Sequence, residues 1–230
     1  VLRGTILIIK IELLFDNAYP LMTSRAGYAR ERMTQAAIPI PDAIHILRRL
    51  GVDPVFGAQL SSIPIDRTNI LRGNFKRTAV TCVPAFFSLA GLSPEQVKAR
   101  VEELLKDHRY IFPAIEGRLR LDQPFAQGAI AFIIKEEVFS SPLFVTQNPD
   151  RFPARSSKHP MQRELPDSMV ALAATAVRNF FYVQCCCRTH NLPRFTQLSL
   201  STATPADVKT FHSVRTPTNP PTATIWILFR

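Results

Sequence analysis

The chain has 230 residues, and its hydrophobic share of 46% and charged share of 20% are close to globular averages, which excludes wholesale disorder and a membrane bundle. Its 28 basic and 18 acidic residues give a formal net charge of +10, which attracts polyanions such as nucleic acid but identifies no partner by itself. Eight glycines against 19 prolines disfavour a glycine-rich nucleotide-binding enzyme and favour helices separated by prolines.

The first third of the sequence predicts three helices. The apolar run 5–15 fits a helix or a buried strand by its periodicity, and we interpret it as a buried helix that ends before Pro20. A second helix is predicted to end near Ala37, and a third covers about 43–50. Gly51 is predicted to terminate this third helix.

The middle of the chain contains its clearest local signal. Apolar residues recur at three- and four-residue steps over 66–87, which predicts a helix that kinks or ends near Val83 because Pro84 follows. Ser93, Pro94 and Gln96 then combine an N-cap serine, a first-turn proline and a third-position amide. This combination predicts the start of another helix.

The remaining sequence predicts two further helices and a tail. Pro124 is placed to open a helix, apolar nearly all round, that runs to about Phe139. A proline-punctuated loop over 140–163 precedes a long alanine-rich helix that begins at Asp167. We therefore predict an all-α fold, a single bundle of six to seven helices over 1–183, followed by a disordered Thr/Ser/Pro-rich tail over 184–230.

Several segments occur in a characteristic order over residues 1 to about 183. They are Leu13–Phe15 with Tyr19–Pro20, Leu71–Lys76, Tyr110–Pro113, Phe125–Phe139, Glu164–Pro166 and Met169–Val177. This order resembles an uncharacterised domain family of unknown function, found mainly in basidiomycete fungi. The resemblance implies a helical domain and brings no catalytic residue, cofactor or substrate. The tail departs from the family, and we interpret it as a divergent or mispredicted end.

No residue pattern predicts a catalytic, cofactor or metal site. Cys185–Cys187 with His190 offers soft ligands, but zinc usually takes its cysteines from separated pairs. We interpret the cluster as reduced thiols of an intracellular protein. Cys82 lies on an apolar helix face. We therefore interpret it as a small core residue in preference to a nucleophile activated by a histidine. A pocket of scattered residues needs no motif, so an enzyme remains an alternative.

Basic residues supply the only candidate binding surface. Arg72, Lys76 and Arg77 lie opposite the apolar face of their predicted helix, and the loop after residue 140 adds further charges. The candidate contacts for an anion or a nucleic acid are Arg72, Lys76, Arg77, Arg151, Arg155 and Lys158. A solvated face with no ligand is the competing interpretation.

These observations favour a non-enzymatic helical module that binds a protein partner or has a structural role. A nucleic-acid-associated protein is the first alternative and an enzyme is the second. The opening apolar run carries Lys10 and Glu12 and is too short to span a bilayer, so we expect neither a signal peptide nor a transmembrane segment. An intracellular location is expected, in the nucleus or the cytoplasm.

Overall fold

A computed structural model describes residues 1–20, 25–115, 117–140, 142–152, 162–186 and 226–228, and these are mainly helical. The predicted all-α class is confirmed. The chain divides into two compact units, Val1–Asn74 and Phe75–Arg230, with the boundary inside one long helix. None of the described helices combines the length and apolar character that crossing a bilayer needs. Most of the predicted tail lies outside the described residues, so its disorder stays a prediction.

The first unit is built on a pair of packed helices. Its elements are α1 (Leu2–Ile11) with a π-helical turn (Glu12–Asp16), α2 (Arg25–Ala37), a 3₁₀ turn (Pro41–Ala43), α3 (Ile44–Val52) and the first part of α4 (Pro54–Phe86). Helix α1 packs against α2, and the buried core of the unit includes Ile9, Leu13, Ala29 and Met33. The predicted helices of this region are confirmed, and the opening apolar run is helical.

The junction between α3 and α4 differs from the prediction. Gly51 lies inside α3, which ends one residue later at Val52. Asp53 then caps the next helix, because its Oδ1 accepts the backbone N–H of Phe56 at 2.9 Å. Pro54 follows at a position where its missing N–H costs nothing. Helix α4 therefore starts 12 residues before the predicted start at residue 66.

The first part of α4 buries small and polar residues. Gly57, Ser61, Pro64 and Thr68 are all buried. The buried hydroxyls of Ser61 and Thr68 donate to the carbonyls of Gly57 and Pro64, four residues earlier, at 2.5 Å and 3.0 Å. Burial of these two side chains is tolerated because both are hydrogen-bonded within the helix.

The second unit contains the end of α4 and the elements that follow it. These are α5 (Pro94–Leu105), a 3₁₀ segment (Lys106–Ile111), β1 (Ala114–Ile115), β2 (Arg118–Leu119), α6 (Gly128–Ile134) with a π-helical turn (Lys135–Phe139), α7 (Pro142–Gln147), a 3₁₀ turn (Pro149–Arg151), β3 (Gln162–Glu164), α8 (Asp167–Cys186) and β4 (Trp226–Leu228). Helix α8 packs against α5 and α6. Phe181 of α8 lies edge-on to the rings of Phe87 and Tyr110, with centroids 5.1 Å and 5.8 Å away. This aromatic cluster forms part of the core.

One local expectation for the second unit is corrected. Helix α6 begins at Gly128 and not at Pro124, because Phe125 adopts a positive φ of 64°, which a right-handed helix cannot contain. Residues 226–228, at the end of the predicted tail, form β4 and pair antiparallel with β3, Trp226 opposite Glu164.

The predicted N-terminal signal of α5 is confirmed as a capping box. The backbone N–H of Gln96 donates to the Ser93 hydroxyl at 3.3 Å, and the Gln96 side chain accepts the N–H of Ser93 at 2.9 Å. Two helix-end donors are thus satisfied reciprocally. Val97, Val101 and Leu104 of this helix are buried, so the cap fixes the register of a core element.

Replacing this cap tests its contribution to stability. Ser93→Ala is expected to lower the free energy of unfolding by about 1 kcal/mol, since an N-cap hydroxyl is lost. Urea unfolding followed by far-UV circular dichroism measures the change. Ser62→Ala is the matched control, because this exposed hydroxyl lies in the middle of α4 and donates only to the Gln59 carbonyl. Equal destabilisation by the two substitutions would contradict the capping role.

Candidate functional site

The predicted anion contacts fall in different parts of the chain. Arg72 belongs to the first unit, whereas Lys76, Arg77 and Arg151 belong to the second. Arg77 and Arg151 are exposed, and Lys76 is partly buried. The remaining two predicted contacts lie outside the described residues: Arg155 and Lys158. A surface shared by all six residues therefore stays a prediction.

Arg72 is held against the turn that follows the first helix. Its Nη2 donates to the carbonyl of Ala18 at 2.9 Å, and its guanidinium carbon lies 5.4 Å from the centroid of the Tyr19 ring. The Nε atom is buried and has no hydrogen-bond partner among the described residues. Burial lowers the pKa of Arg72 below its ordinary value, and the interactions with Tyr19 and Tyr28 oppose this effect only in part.

A second charged group joins the π-helical turn to α2. Both carboxylate oxygens of Glu12 accept from Arg32, Oε2 from Nε at 2.7 Å and Oε1 from Nη2 at 3.1 Å. The hydroxyl of Tyr28 donates to the same Oε2 at 3.0 Å. The side chains of Arg32 and Glu12 are only 22% and 19% exposed, so this two-bond pair is better shielded from water than a surface ion pair.

The pKa values of this group reflect burial and the shared carboxylate. Burial, followed by the hydrogen bond to Glu12, raises the pKa of Tyr28 to about 12. The hydrogen bond to Glu12 raises the pKa of Arg32 above its ordinary value. Tyr28 therefore stays neutral and Arg32 stays charged at physiological pH. The group has a structural role, because Glu12, Tyr28 and Arg32 are hydrogen-bonded to one another.

An exposed apolar surface surrounds α3. Four aliphatic side chains there are at least 66% exposed: Ile38, Ile44, Val52 and Val55. Ile44, Arg48 and Val52 follow one another at four-residue steps and so lie on one side of the helix. We name the surface formed by Ile38, Ile44, Arg48, Val52 and Val55 the α3 face. Groups of exposed large apolar side chains are typical of interaction sites.

The charges around the α3 face are few. Arg49 forms an ion pair with Asp53, Nε to Oδ2 at 3.2 Å, and its guanidinium lies 4.1 Å from the centroid of the Phe56 ring. Arg48 is exposed and takes part in no ion pair with a described residue. The α3 face thus combines four aliphatic side chains with one available positive charge.

The candidates for nucleophilic and metal chemistry are not assembled into a site in the part of the chain that the structure describes. Cys82 is buried, and burial raises the pKa of its thiol to about 11, which keeps it protonated at neutral pH. No three histidine, cysteine or acidic side chains among the described residues are grouped to hold a metal ion. His45 is exposed on α3, whereas His159, His190 and His212 lie outside the described residues.

Neither Glu12 nor the α3 face was predicted from the sequence. Glu12 was noted only as a charge within an apolar run, because its partners lie 16 and 20 residues away. The α3 face had a detectable signal. Leu50 is the buried residue of the nine-residue helix α3, and Ile44 and Val52 lie on a different side of the helix. Two aliphatic residues on that side are unusual for a surface that only water covers.

Comparison with known proteins gives a family and no activity. A family model described as "Domain of unknown function (DUF6532)" matches residues 5–202. Neither a curated protein nor a solved structure matches the chain significantly. The match begins near the start of α1 and extends beyond the end of α8, so it includes every element on which the candidate sites rest.

Removing the charge of Glu12 tests the network around it. Glu12→Gln is expected to destabilise the chain by about 1–3 kcal/mol, because a shielded, charge-assisted pair is broken. Glu31→Gln is the control, since Glu31 pairs with the same Arg32 but is 69% exposed, and a cost below about 0.5 kcal/mol is expected. Urea unfolding of both variants provides the comparison.

Glu12→Gln should also change the pH at which Tyr28 titrates. Because Glu12 raises the pKa of Tyr28, Glu12→Gln should lower that pKa, while burial keeps it above the ordinary 10.0. The folded pKa exceeds the unfolded value, so the stabilisation linked to Tyr28 is complete below pH 10.0 and is lost as the pH rises towards about 12. Tyrosine ring NMR shifts over this range measure the pKa. An unchanged Tyr28 titration in Glu12→Gln would contradict the described hydrogen bond.

Proposed function

The chain belongs to this family of unknown function, which brings no activity with it, and we propose that it is a non-enzymatic helical interaction module that binds a partner protein through the α3 face. The observation that carries the proposal is the exposure of four large aliphatic side chains within the 18 residues 38–55. Full burial of each such side chain contributes about 1.5–3 kcal/mol. Covering this surface is therefore a substantial driving force for association.

The small number of charges on the α3 face favours a protein as its ligand over an anionic membrane or a nucleic acid. Anionic membranes are recognised by clusters of about four to eight lysine and arginine residues, and nucleic acids by repeated phosphate contacts. The α3 face offers Arg48 alone, because Arg49 is paired with Asp53. An apolar segment with a single acidic position opposite Arg48 fits this distribution of charge.

The shape of the face indicates what such a segment presents. Ile44 and Val52 are eight residues apart, which is about 12 Å along the helix axis. An amphipathic helix spans this distance in little more than two turns, with apolar residues at three- and four-residue steps. We therefore commit to an amphipathic helical segment of a partner protein, with aliphatic side chains and a carboxylate placed to meet Arg48.

Selection from a random peptide library tests the proposed binding. Peptides displayed on phage are selected on the full chain and depleted on the double variant Ile44→Asp/Val52→Gln. The selected peptides should share apolar residues at helical spacing together with Asp or Glu. Both positions are more than two-thirds exposed, so the variant should fold, which circular dichroism verifies. Absence of peptides that distinguish the two proteins would overturn the proposal.

Affinity measurements with one selected peptide complete the test. The double variant should bind at least about tenfold more weakly, a loss of about 1.4 kcal/mol, and Arg48→Glu should also weaken binding. Leu121→Asp is the matched control, because Leu121 is 67% exposed but lies in the second unit, and it should leave the affinity within about twofold. If light scattering instead showed a dimer of the chain that the double variant abolishes, the α3 face would be a self-association surface and the proposal would fail.

A further inference from the structure

A second group of exposed apolar side chains lies on α4, within the first unit. Ile63 and Ile70 are 40% and 47% exposed. They are seven residues apart, which is almost two helical turns, so both side chains lie on one side of the helix. Ser61 and Thr68 are buried on the opposite side. The two isoleucines therefore form a short apolar row on the outer surface of the first unit.

Two exposed side chains of opposite charge flank this row. Asp66 and Arg67 lie between the isoleucines in sequence, and neither forms an ion pair with a described residue. At about 100° per residue, they project about 50° to either side of the line that joins Ile63 to Ile70. We name the surface formed by Ile63, Asp66, Arg67 and Ile70 the α4 face. It carries one acid and one base, and so no net charge.

We infer that the α4 face binds the α4 face of a second copy of this chain, with the two helices parallel. In a symmetric parallel pair, each isoleucine meets the same residue of the other copy, and side chains that flank the row on opposite sides become neighbours. Asp66 of each copy then lies beside Arg67 of the other, offset by about 1.5 Å along the helix axis. The dimer thus has an ion pair on each flank of an apolar centre.

The charges of the α4 face select the parallel orientation. In the antiparallel pair that matches Ile63 to Ile70 of the other copy, the two-fold axis passes between Asp66 and Arg67. Side chains on the same flank then become neighbours, so each charge lies beside its own copy. Like charges in contact destabilise a helix pair, whereas the parallel pair brings opposite charges together.

The distribution of charge also favours a second copy over other ligands. Nucleic acids and anionic membranes are bound by several basic residues, but on the α4 face Arg67 is balanced by Asp66. Arg72, the other charged residue of α4 in this unit, donates to the carbonyl of Ala18. A second copy fits because the α4 face complements itself, apolar on apolar and acid on base. None of its residues belongs to the α3 face.

Analytical ultracentrifugation of the full chain tests the inference. The contact covers only about two helical turns, so we expect a weak dimer that dissociates on dilution. From about 5 µM to about 500 µM, sedimentation equilibrium should show the mass rising from that of the 25.9 kDa chain towards twice this value. A chain that stays monomeric at the highest concentration overturns the inference.

Charge variants test the two ion pairs. Asp66→Arg gives the α4 face two positive charges and Arg67→Asp gives it two negative charges, so each variant alone should dimerise at least about tenfold more weakly. An equal mixture of the two variants should restore the wild-type affinity, because the facing charges of a mixed dimer are opposite again. Both side chains are exposed, so both variants should fold, which circular dichroism verifies. Wild-type affinity in either variant alone, or no association in the mixture, would contradict the parallel pair.

Variants in the apolar row and on other surfaces complete the test. Ile63→Gln should weaken the dimer at least about tenfold, whereas Arg48→Asp, which reverses an exposed charge on α3, should change its affinity by less than about twofold. The double variant Ile44→Asp/Val52→Gln, which weakens peptide binding at the α3 face, should leave the dimer intact. If this double variant were monomeric instead, the dimer would form through the α3 face and the inference would be overturned.

Discussion

The pairing of Glu12 is the constraint on which the first unit depends. One carboxylate, placed on a π-helical turn at the end of α1, accepts two bonds from Arg32 and a third from Tyr28, and so joins α1 to α2. Single π-helical turns often occur at functional positions because they reorient one side chain. In the same unit, Arg72 of α4 is held by two other contacts, a hydrogen bond to the Ala18 carbonyl and the ring of Tyr19.

The elements that were predictable from the sequence are those controlled by neighbours along the chain. Ser93 and Gln96 specify the start of α5 because both hydrogen bonds of the capping box join residues three positions apart. The start of α4 was missed because Pro64 argues locally against a helix, while tertiary packing keeps Pro64 buried inside one. Phe125 was missed for a related reason, since nothing local predicts its positive φ.

The candidate sites were less predictable than the fold, because they depend on contacts between distant residues. Arg72 was predicted as part of an exposed helix stripe, whereas in the structure its side chain donates a hydrogen bond to the carbonyl of Ala18, 54 residues away. Arg72 and Tyr19, which belong to two of the segments that support the family resemblance, also meet, with the guanidinium 5.4 Å from the ring centroid. To predict the α3 face, one must know which side of the nine-residue helix α3 is buried. Leu50 is the buried residue of this helix, and one residue is too weak a pattern to identify the buried side.

The central claim is that the α3 face is where a partner protein binds. Hydrogen–deuterium exchange of the full chain, with and without a peptide selected on it, tests this location directly. The account predicts slower amide exchange confined to 38–56, the segment that contains α3 and the first turn of α4. Slower exchange only in the second unit, or no change on peptide binding at saturating concentration, would contradict the claim.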